Sequence, residues 1–260
     1  MNIVFDIGGT NMRIARADGE VLGEVRKVPT PQSLDETIAL FVSVVHEIAG
    51  DKYESAAGCI AGQINAERGI YDANNRKEWN GRHFDTELSG ALEVPVTIAN
   101  DCAVIGLGEF HRGAGKGAHR MAYVTVSTGV GAALIDNGVI VATSGLYLGH
   151  EIVDGEELEN LISGTAVRKK FGIEPKDLES LDERNKLADI LARGLLKIID
   201  AWKPDTIVLG GSMIVGVNPI PLDRVRESLT KLHTSPQIKM ASHGDSGGLY
   251  GAMILAERSV

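Results

Sequence analysis

The sequence predicts an α/β protein made of two similar halves with a cleft between them. Three observations carry this. Short apolar runs end repeatedly in glycine pairs. Amphipathic stretches of helical period lie between them. The same order of elements occurs twice within 260 residues.

The first half opens with the apolar run Ile3–Ile7, which ends in Gly8-Gly9. Met12–Ala17 follows, then the turn Asp18-Gly19, then Val21–Val28, so three antiparallel strands with tight turns are expected. Ser33 and Glu36 form a capping box. Behind it Ile38, Phe41, Val42, Val45 and Ile48 mark one face of a helix that Gly50 closes. Ser55–Ile60 reads as a strand running into Ala61-Gly62, and Val94–Ile98 as a strand ending at Asn100-Asp101, with a buried helix over Ala103–Phe110.

The second half repeats this order. Met121–Val126 leads into the turn Ser127-Thr128-Gly129-Val130-Gly131, with partner strands at Ala132–Ile135 and Val139–Ala142. Asn185–Trp202 is a long amphipathic helix stopped by Pro204, and Thr206–Leu209 is a strand ending in Gly210-Gly211. Strand, glycine turn, strand, turn, strand, helix, strand therefore occurs twice, and internal duplication is the economical explanation. The two glycine-rich turns would then face each other across the cleft, a favoured place for a ligand.

Composition narrows the class. Apolar residues make up 43% and charged residues 23%, which are globular values. The net charge of -9 disfavours nucleic-acid binding. Cys59 and Cys102 form no CxxC pattern, so neither a disulfide framework nor structural zinc is expected, and a reducing, cytoplasmic setting fits. No apolar run approaches the length of a membrane span, and the N-terminus does not read as a signal peptide. The 31 glycines are not periodic, and several fall where apolar runs end, as expected of turns that approach a ligand.

Several motifs carry candidate chemistry, each with a plainer alternative. In Asp6-Ile7-Gly8-Gly9-Thr10-Asn11-Met12-Arg13, two glycines let backbone N–H groups converge on an anion. Thr10 adds a hydroxyl, Arg13 a forked cationic donor, and Asp6 a carboxylate for Mg²⁺, directly or through water. The alternative is a tight hairpin beside an ordinary buried Asp. Thr128-Gly129-Val130-Gly131 offers the same pair of readings. Asp101, at a strand end before a helix, is either a general base or an N-cap. Asn100 could orient a substrate through its amide. His150 is a hydroxyl ligand or a loop histidine, and Glu159 a ligand or part of a charge run with Glu156 and Glu157. Gly210-Gly211 could lie flat against a nucleoside or simply turn the chain.

Together these residues resemble the ROK family of sugar kinases and repressors, within the actin-like ATPase group, over nearly the whole chain. DIGGTNMR at 6–13 is similar to the family's first phosphate loop and VSTGVGAAL at 126–134 to its second. AND at 99–101 resembles its catalytic strand end, GHE at 149–151 its Gly-His sugar contact, and LENLISGTAV at 158–167 its Leu-Glu segment. IVLGGS at 207–212 is similar to its adenosine segment, and Asn75 with Trp79 to an Asn-x-x-x-Trp element near the sugar.

The resemblance implies ATP-dependent phosphorylation of a hexose hydroxyl, by default the 6-OH, with Mg²⁺ and with Asp101 as base. N-acetylhexosamine kinase, fructokinase and non-catalytic sugar sensor are the alternatives. Asn100, His150, Glu159, Asn75 and Gly62 would hold the sugar. Gly8, Gly9, Thr10, Asn11, Arg13, Thr128, Gly129 and Gly131 would cradle the phosphates, and Gly210 and Gly211 the adenosine. The implied fold is two duplicated ribonuclease H-like domains of the actin and hexokinase type with an interdomain cleft. The smaller domain would span 1–115, joined by a returning helix at 247–260, and the larger 116–246. A homodimer is the family expectation. Only five residues precede Asp6, which with the acidic charge argues against a DNA-binding repressor.

Two departures stand out. Many members carry a cysteine-rich zinc element between Gly-His and Leu-Glu, where this chain has only Glu151–Leu158 and no cysteine. Members also often place Glu three residues before the His, where this chain has Tyr147. No zinc site and a relaxed or unusual choice of sugar are the expectations.

Overall fold

The computed structural model describes residues 1–65, 69–73, 76–141, 146–232 and 236–258. Asn75, Ala142, Ser144 and Gly145 lie outside the described residues. In chain order the elements are β1 (Asn2–Ile7), β2 (Asn11–Asp18), β3 (Val21–Leu22), β4 (Arg26–Pro29), α1 (Leu34–Ala49), β5 (Ser55–Ile60), β6 (Gln63–Asn65), β7 (Gly69–Asp72), α2 (Phe84–Leu92), β8 (Val96–Asn100) and α3 (Asp101–Arg112). There follow β9 (Arg120–Val126), β10 (Val130–Asp136), β11 (Val139–Val141), β12 (Ile152–Val153), β13 (Glu156–Glu157), α4 (Leu158–Ile162), α5 (Gly164–Phe171) and α6 (Leu181–Trp202). The chain ends with β14 (Thr206–Gly210), α7 (Ser212–Val215), α8 (Leu222–Leu232), β15 (Gln237–Met240) and α9 (Gly247–Glu257). It divides into two compact units, Met1–Gly108 with Asp245–Val260, and Glu109–Gly244.

In the first unit the strand order is β3-β2-β1-β5-β8, with β4 also on β2. β1 pairs antiparallel with β2 and parallel with β5, and β5 pairs parallel with β8. Strand alternation divides β1 between two layers. Ile3, Phe5 and Ile7 enter a core with Phe41 of α1 and Phe84 of α2, and the Phe5 and Phe41 rings meet edge to face at 5.1 Å. Val4 turns to the opposite face, where Leu249, Ala252 and Met253 of α9 pack with Cys59 and Val104. Asp6 shares that face by the same alternation. α9 lies close because it lacks side chains where it touches: a Cβ on Gly251 would collide with the Val104 carbonyl, and one on Gly248 would stand 2.7 Å from Asp6 Cγ.

The second unit has a five-stranded sheet in the order β11-β10-β9-β14-β15, again three antiparallel strands followed by two parallel ones. α6 forms the centre of its core through Leu187, Leu191, Leu195 and Ile198. Two antiparallel strands, β12 and β13, turn at Asp154 and Gly155, both at positive φ.

Several expectations shift. The single strand expected over Val21–Val28 is two short strands, β3 and β4, separated where Gly23 N–H donates to Arg16 O at 2.8 Å, and both pair with β2. The helix expected from Asn185 begins at Leu181, because Ser180 caps it by accepting from Glu183 N–H at 3.3 Å. β8 runs two residues further than Ile98 and includes Asn100. Two glycines outside the turns, Gly248 and Gly251, serve the packing of a helix.

Candidate active site

Asp101 begins α3 directly after β8, so its carboxylate stands at the carboxyl end of a parallel strand. Its Oδ1 accepts from Cys102 N–H at 2.8 Å. Asn100 shares the capping: its Oδ1 accepts from Cys102 N–H at 3.0 Å and Ala103 N–H at 3.4 Å, while Nδ2 donates to Gly62 O at 2.8 Å. The Asn100 amide is thus engaged within the protein, and it ties the end of β8 to the turn after β5. Burial pushes the Asp101 carboxyl up to about 6, with the nearby Asp6 charge acting in the same direction and the Cys102 N–H against it. A carboxylate in that range can accept a proton near neutral pH.

Asp6 owes its surroundings to strand register, which sets it opposite Arg13 on β2 and Cys59 on β5. Cys59 Sγ donates to Asp6 Oδ1 at 3.3 Å, and Arg13 Nη1 lies 3.5 Å from Oδ2. Arg13 also binds Asp245 at 2.8 Å, so its charge is committed to carboxylates. Burial raises the Asp6 carboxyl and the Cys59 thiol above their usual ranges. With one weak thiol donor and one longer ion pair, Asp6 keeps acceptor capacity that fits a water-bridged cation.

The first glycine turn joins β1 to β2. Gly8 N–H donates to Asn11 O at 3.0 Å and closes it. Thr30 Oγ1 donates to Gly8 O at 2.8 Å, and Arg76 Nη1 donates to Gly9 O at 2.6 Å. In a trans peptide the carbonyl and the following N–H point in opposite directions. Holding these two carbonyls therefore turns Gly9 N–H and Thr10 N–H the other way. Among the described residues neither donates to a protein acceptor, and both residues are exposed. Two convergent N–H groups on a glycine turn suit an anion.

The second turn, Ser127–Gly129, lies between β9 and β10. Gly164 N–H donates to Ser127 O at 2.6 Å, and Thr165 Oγ1 donates to Thr128 O at 2.7 Å. Thr128 N–H and Gly129 N–H are thereby turned outward, again with no protein acceptor among the described residues. Gly131 follows in β10, opposite Thr125. Glu159, on α4, does not belong to a solvated charge run: its Oε2 accepts from Val130 N–H at 2.8 Å. A Cβ on Gly129 would collide with that oxygen, and one on Gly149 would stand 3.4 Å from it. The structure thus brings Gly129, Gly149 and Glu159 together.

His150 closes a short 3₁₀ turn, Leu148–His150, with its side chain 68% exposed and its Nδ1 3.4 Å from Glu157 Oε1. Exposed Tyr147 meets its ring edge to face at 6.4 Å. The β12–β13 hairpin occupies the segment between His150 and Glu159 and is held to α6 by ion pairs of Arg193 with Asp154 and Lys197 with Glu151. Gly210 ends β14, where a Cβ would collide with the Tyr123 hydroxyl, and Gly211 turns the chain at φ 88°. Among the described residues no group of three or more His, Cys, Asp or Glu is placed to hold a metal ion.

Thr30, Thr165, Arg76 and Glu109 are given no role by any motif of the sequence, yet each holds a turn or loop of the structure. The buried Glu109 carboxylate accepts from Ala114, Ser242 and His243 N–H groups at 2.8–2.9 Å and fixes the chain after β15. Asp154-Gly155, a strong hairpin pair, was a legible signal for β12–β13. The others carry no local signal.

A profile of the ROK family matches residues 2–259. The chain belongs to the ROK family. Among its relatives, the fructokinase of Zymomonas mobilis is 29% identical over 96% of this chain and 94% of that protein. The N-acetyl-D-glucosamine kinase of Pectobacterium atrosepticum is 27% identical over 96% and 97%. Among solved structures, the ROK hexokinase from Thermus thermophilus superposes with a TM-score of 0.83 at 23% identity, covering 99% of both chains, a likeness of fold. The α/β mixed-sheet architecture is therefore that of ROK proteins. Among the described residues no helix is long and apolar enough to cross a membrane.

Proposed function

We propose that this ROK chain is a cytoplasmic ATP-dependent sugar kinase that transfers the γ-phosphoryl group to a hexose hydroxyl, by default the 6-OH, with Asp101 as general base. The observation that carries this is the Asp101 carboxylate: it stands at a strand end, is held by helix capping, and is raised to about 6. A sugar hydroxyl at hydrogen-bond distance would pass its proton to Asp101 as its oxygen attacks phosphorus. The relatives' names, N-acetyl-D-glucosamine kinase and fructokinase, support the sugar-kinase reading.

In this reading His150 and Glu159 contact the sugar, with Asn100 and Gly62 fixing the strand end behind it. Gly8–Asn11 and Thr128–Gly131 receive the phosphates, and Gly210-Gly211 the adenosine. Asp6 would hold Mg²⁺ through water, and the ion would neutralise phosphate charge. The two sheets, alike in strand order, are read as duplicated ribonuclease H-like domains, 1–115 with the returning helix 247–260 and 116–246. A homodimer is part of the proposal.

The test is sugar-stimulated ADP release with Mg-ATP across glucose, fructose, mannose, glucosamine, N-acetylglucosamine and N-acetylmannosamine. At least one sugar should stimulate release, and Asp101→Asn should lower it by ~10²-fold or more. If no sugar stimulates the wild type, the hexose reading fails. Tyr147, in place of a family Glu, leads us to expect activity on more than one sugar; strong preference for a single hexose would contradict that.

A further inference from the structure

Arg76 is a buried cation of the first unit. It is 8% exposed, and all three guanidinium nitrogens donate to main-chain carbonyls: Nη1 to Gly9 O at 2.6 Å, Nη2 to Thr30 O at 2.9 Å and Nε to Pro31 O at 3.1 Å. Its other face lies over the Trp79 ring, 5.2 Å from the centroid, and Trp79 Nε1 donates to Gln32 O at 2.7 Å. The turn at 76–79 thus clamps the segment 30–32 and the first glycine turn as one piece.

Among the described residues no carboxylate forms an ion pair with Arg76; Glu78, two residues on, is exposed. Carbonyl dipoles satisfy the donors, but burial holds the guanidinium below its usual range and the nearby Glu78 charge offsets this only in part, a costly state for a buried ion. Arg13, the cation that the sequence motif offers, is paired with Asp6 and Asp245 instead. On the far side of the turn that Arg76 grips, Gly9 N–H and Thr10 N–H point outward without protein acceptors among the described residues. A buried positive charge behind two outward N–H groups is complementary to a polyanion.

We propose that Arg76 is the positioning residue of the Gly8–Thr10 turn: it holds the Gly9 carbonyl away from the anion and supplies the buried charge that a bound polyphosphate compensates. This rests on the reading of that turn as a phosphate site.

The test compares the whole chain with Arg76→Met and Arg76→Lys by calorimetric titration with sodium tripolyphosphate, ATP and adenosine. Arg76→Met should weaken tripolyphosphate and ATP by ~10-fold or more and leave adenosine within about twofold, because only the anion senses the charge. Arg76→Lys keeps the charge but loses the fork, and should weaken tripolyphosphate by roughly threefold. In turnover the KM for ATP should rise in both variants while the KM for the sugar holds. A purely structural role would lower thermal stability and leave the ratio of ATP to adenosine affinity unchanged, which would overturn the proposal. Should Arg76→Met fail to fold, that same ratio in Arg76→Lys decides. A wild type that binds neither tripolyphosphate nor ATP removes the phosphate site itself. Wild-type binding with an unchanged ratio in the variants removes only the role of Arg76.

Discussion

The two glycine turns, Gly8–Asn11 and Ser127–Val130, solve one problem with different parts. Each has two carbonyls drawn back and two N–H groups turned outward. In the first, a threonine hydroxyl and the buried Arg76 guanidinium hold the carbonyls. In the second, the first N–H of α5 holds the first carbonyl and a threonine hydroxyl the second, so the partial charge of a helix end replaces the full charge of the first turn and acts on the other carbonyl. The second turn also receives Glu159 on Val130 N–H. One turn is thus backed by a cation, and the other shares its backbone with a carboxylate. The glycine motif specifies the turn; its supports come from 20 or more residues away in sequence and differ freely between the halves.

The largest effect should separate the turns by substitution to alanine. Gly129→Ala places a Cβ on Glu159 Oε2, the end of a side chain that can yield only by leaving Val130 N–H, and should lower kcat/KM by ~10²-fold or more with a stability loss of about 1 kcal/mol. Gly9→Ala meets its nearest atom, Arg76 Nη1, at 3.9 Å and should change stability by no more than about 0.5 kcal/mol. Equal destabilisation would break the contrast.

Next, Glu159→Gln keeps the acceptor for Val130 N–H but loses the charge. In steady-state kinetics the KM for the sugar should rise about tenfold with the KM for ATP nearly constant. A rise in the ATP KM instead would move Glu159 to the phosphate side.

Thr30→Val and Thr165→Val each remove one hydroxyl from a turn carbonyl. Each should cost about 1 kcal/mol in chemical denaturation and raise the ATP KM by a small factor. Similar effects in the two would show that the turns contribute alike despite their different supports.

The smallest effect is on stability. Because the folded Asp101 carboxyl is raised from 3.8 to about 6, its ionisation opposes folding. The penalty is absent below pH about 3.8, develops between the two values and is complete above 6. Asp101→Asn should therefore gain on the order of 1 kcal/mol at pH 7 while losing activity, and the gain should vanish near pH 4 in denaturant titrations.

Much of this fold is legible because its signals are local. Ser33 with Glu36, the apolar runs that end in Gly8, Gly62 and Gly210, and the helical face of α6 are set by neighbours in sequence. The strand end at Asn100-Asp101 was legible for the same reason. What was hidden depends on register and packing. Arg76 reads as a surface arginine until the fold brings Gly9 and Thr30 to it, 67 and 46 residues away. Glu109 lies among apolar helix residues with nothing to announce the N–H groups of Ser242 and His243. Gly248 and Gly251 look like flexible positions and prove to be contact surfaces for a helix.

The most direct measurement is the pH dependence of kcat/KM for the best sugar at saturating Mg-ATP, from pH 5 to 8. If Asp101 is the base, the acid limb should fall tenfold per unit below an inflection near 6, and the residual rate of Asp101→Asn should lack that inflection. A profile flat down to pH 5, or one that Asp101→Asn leaves in place, would show that another group accepts the proton.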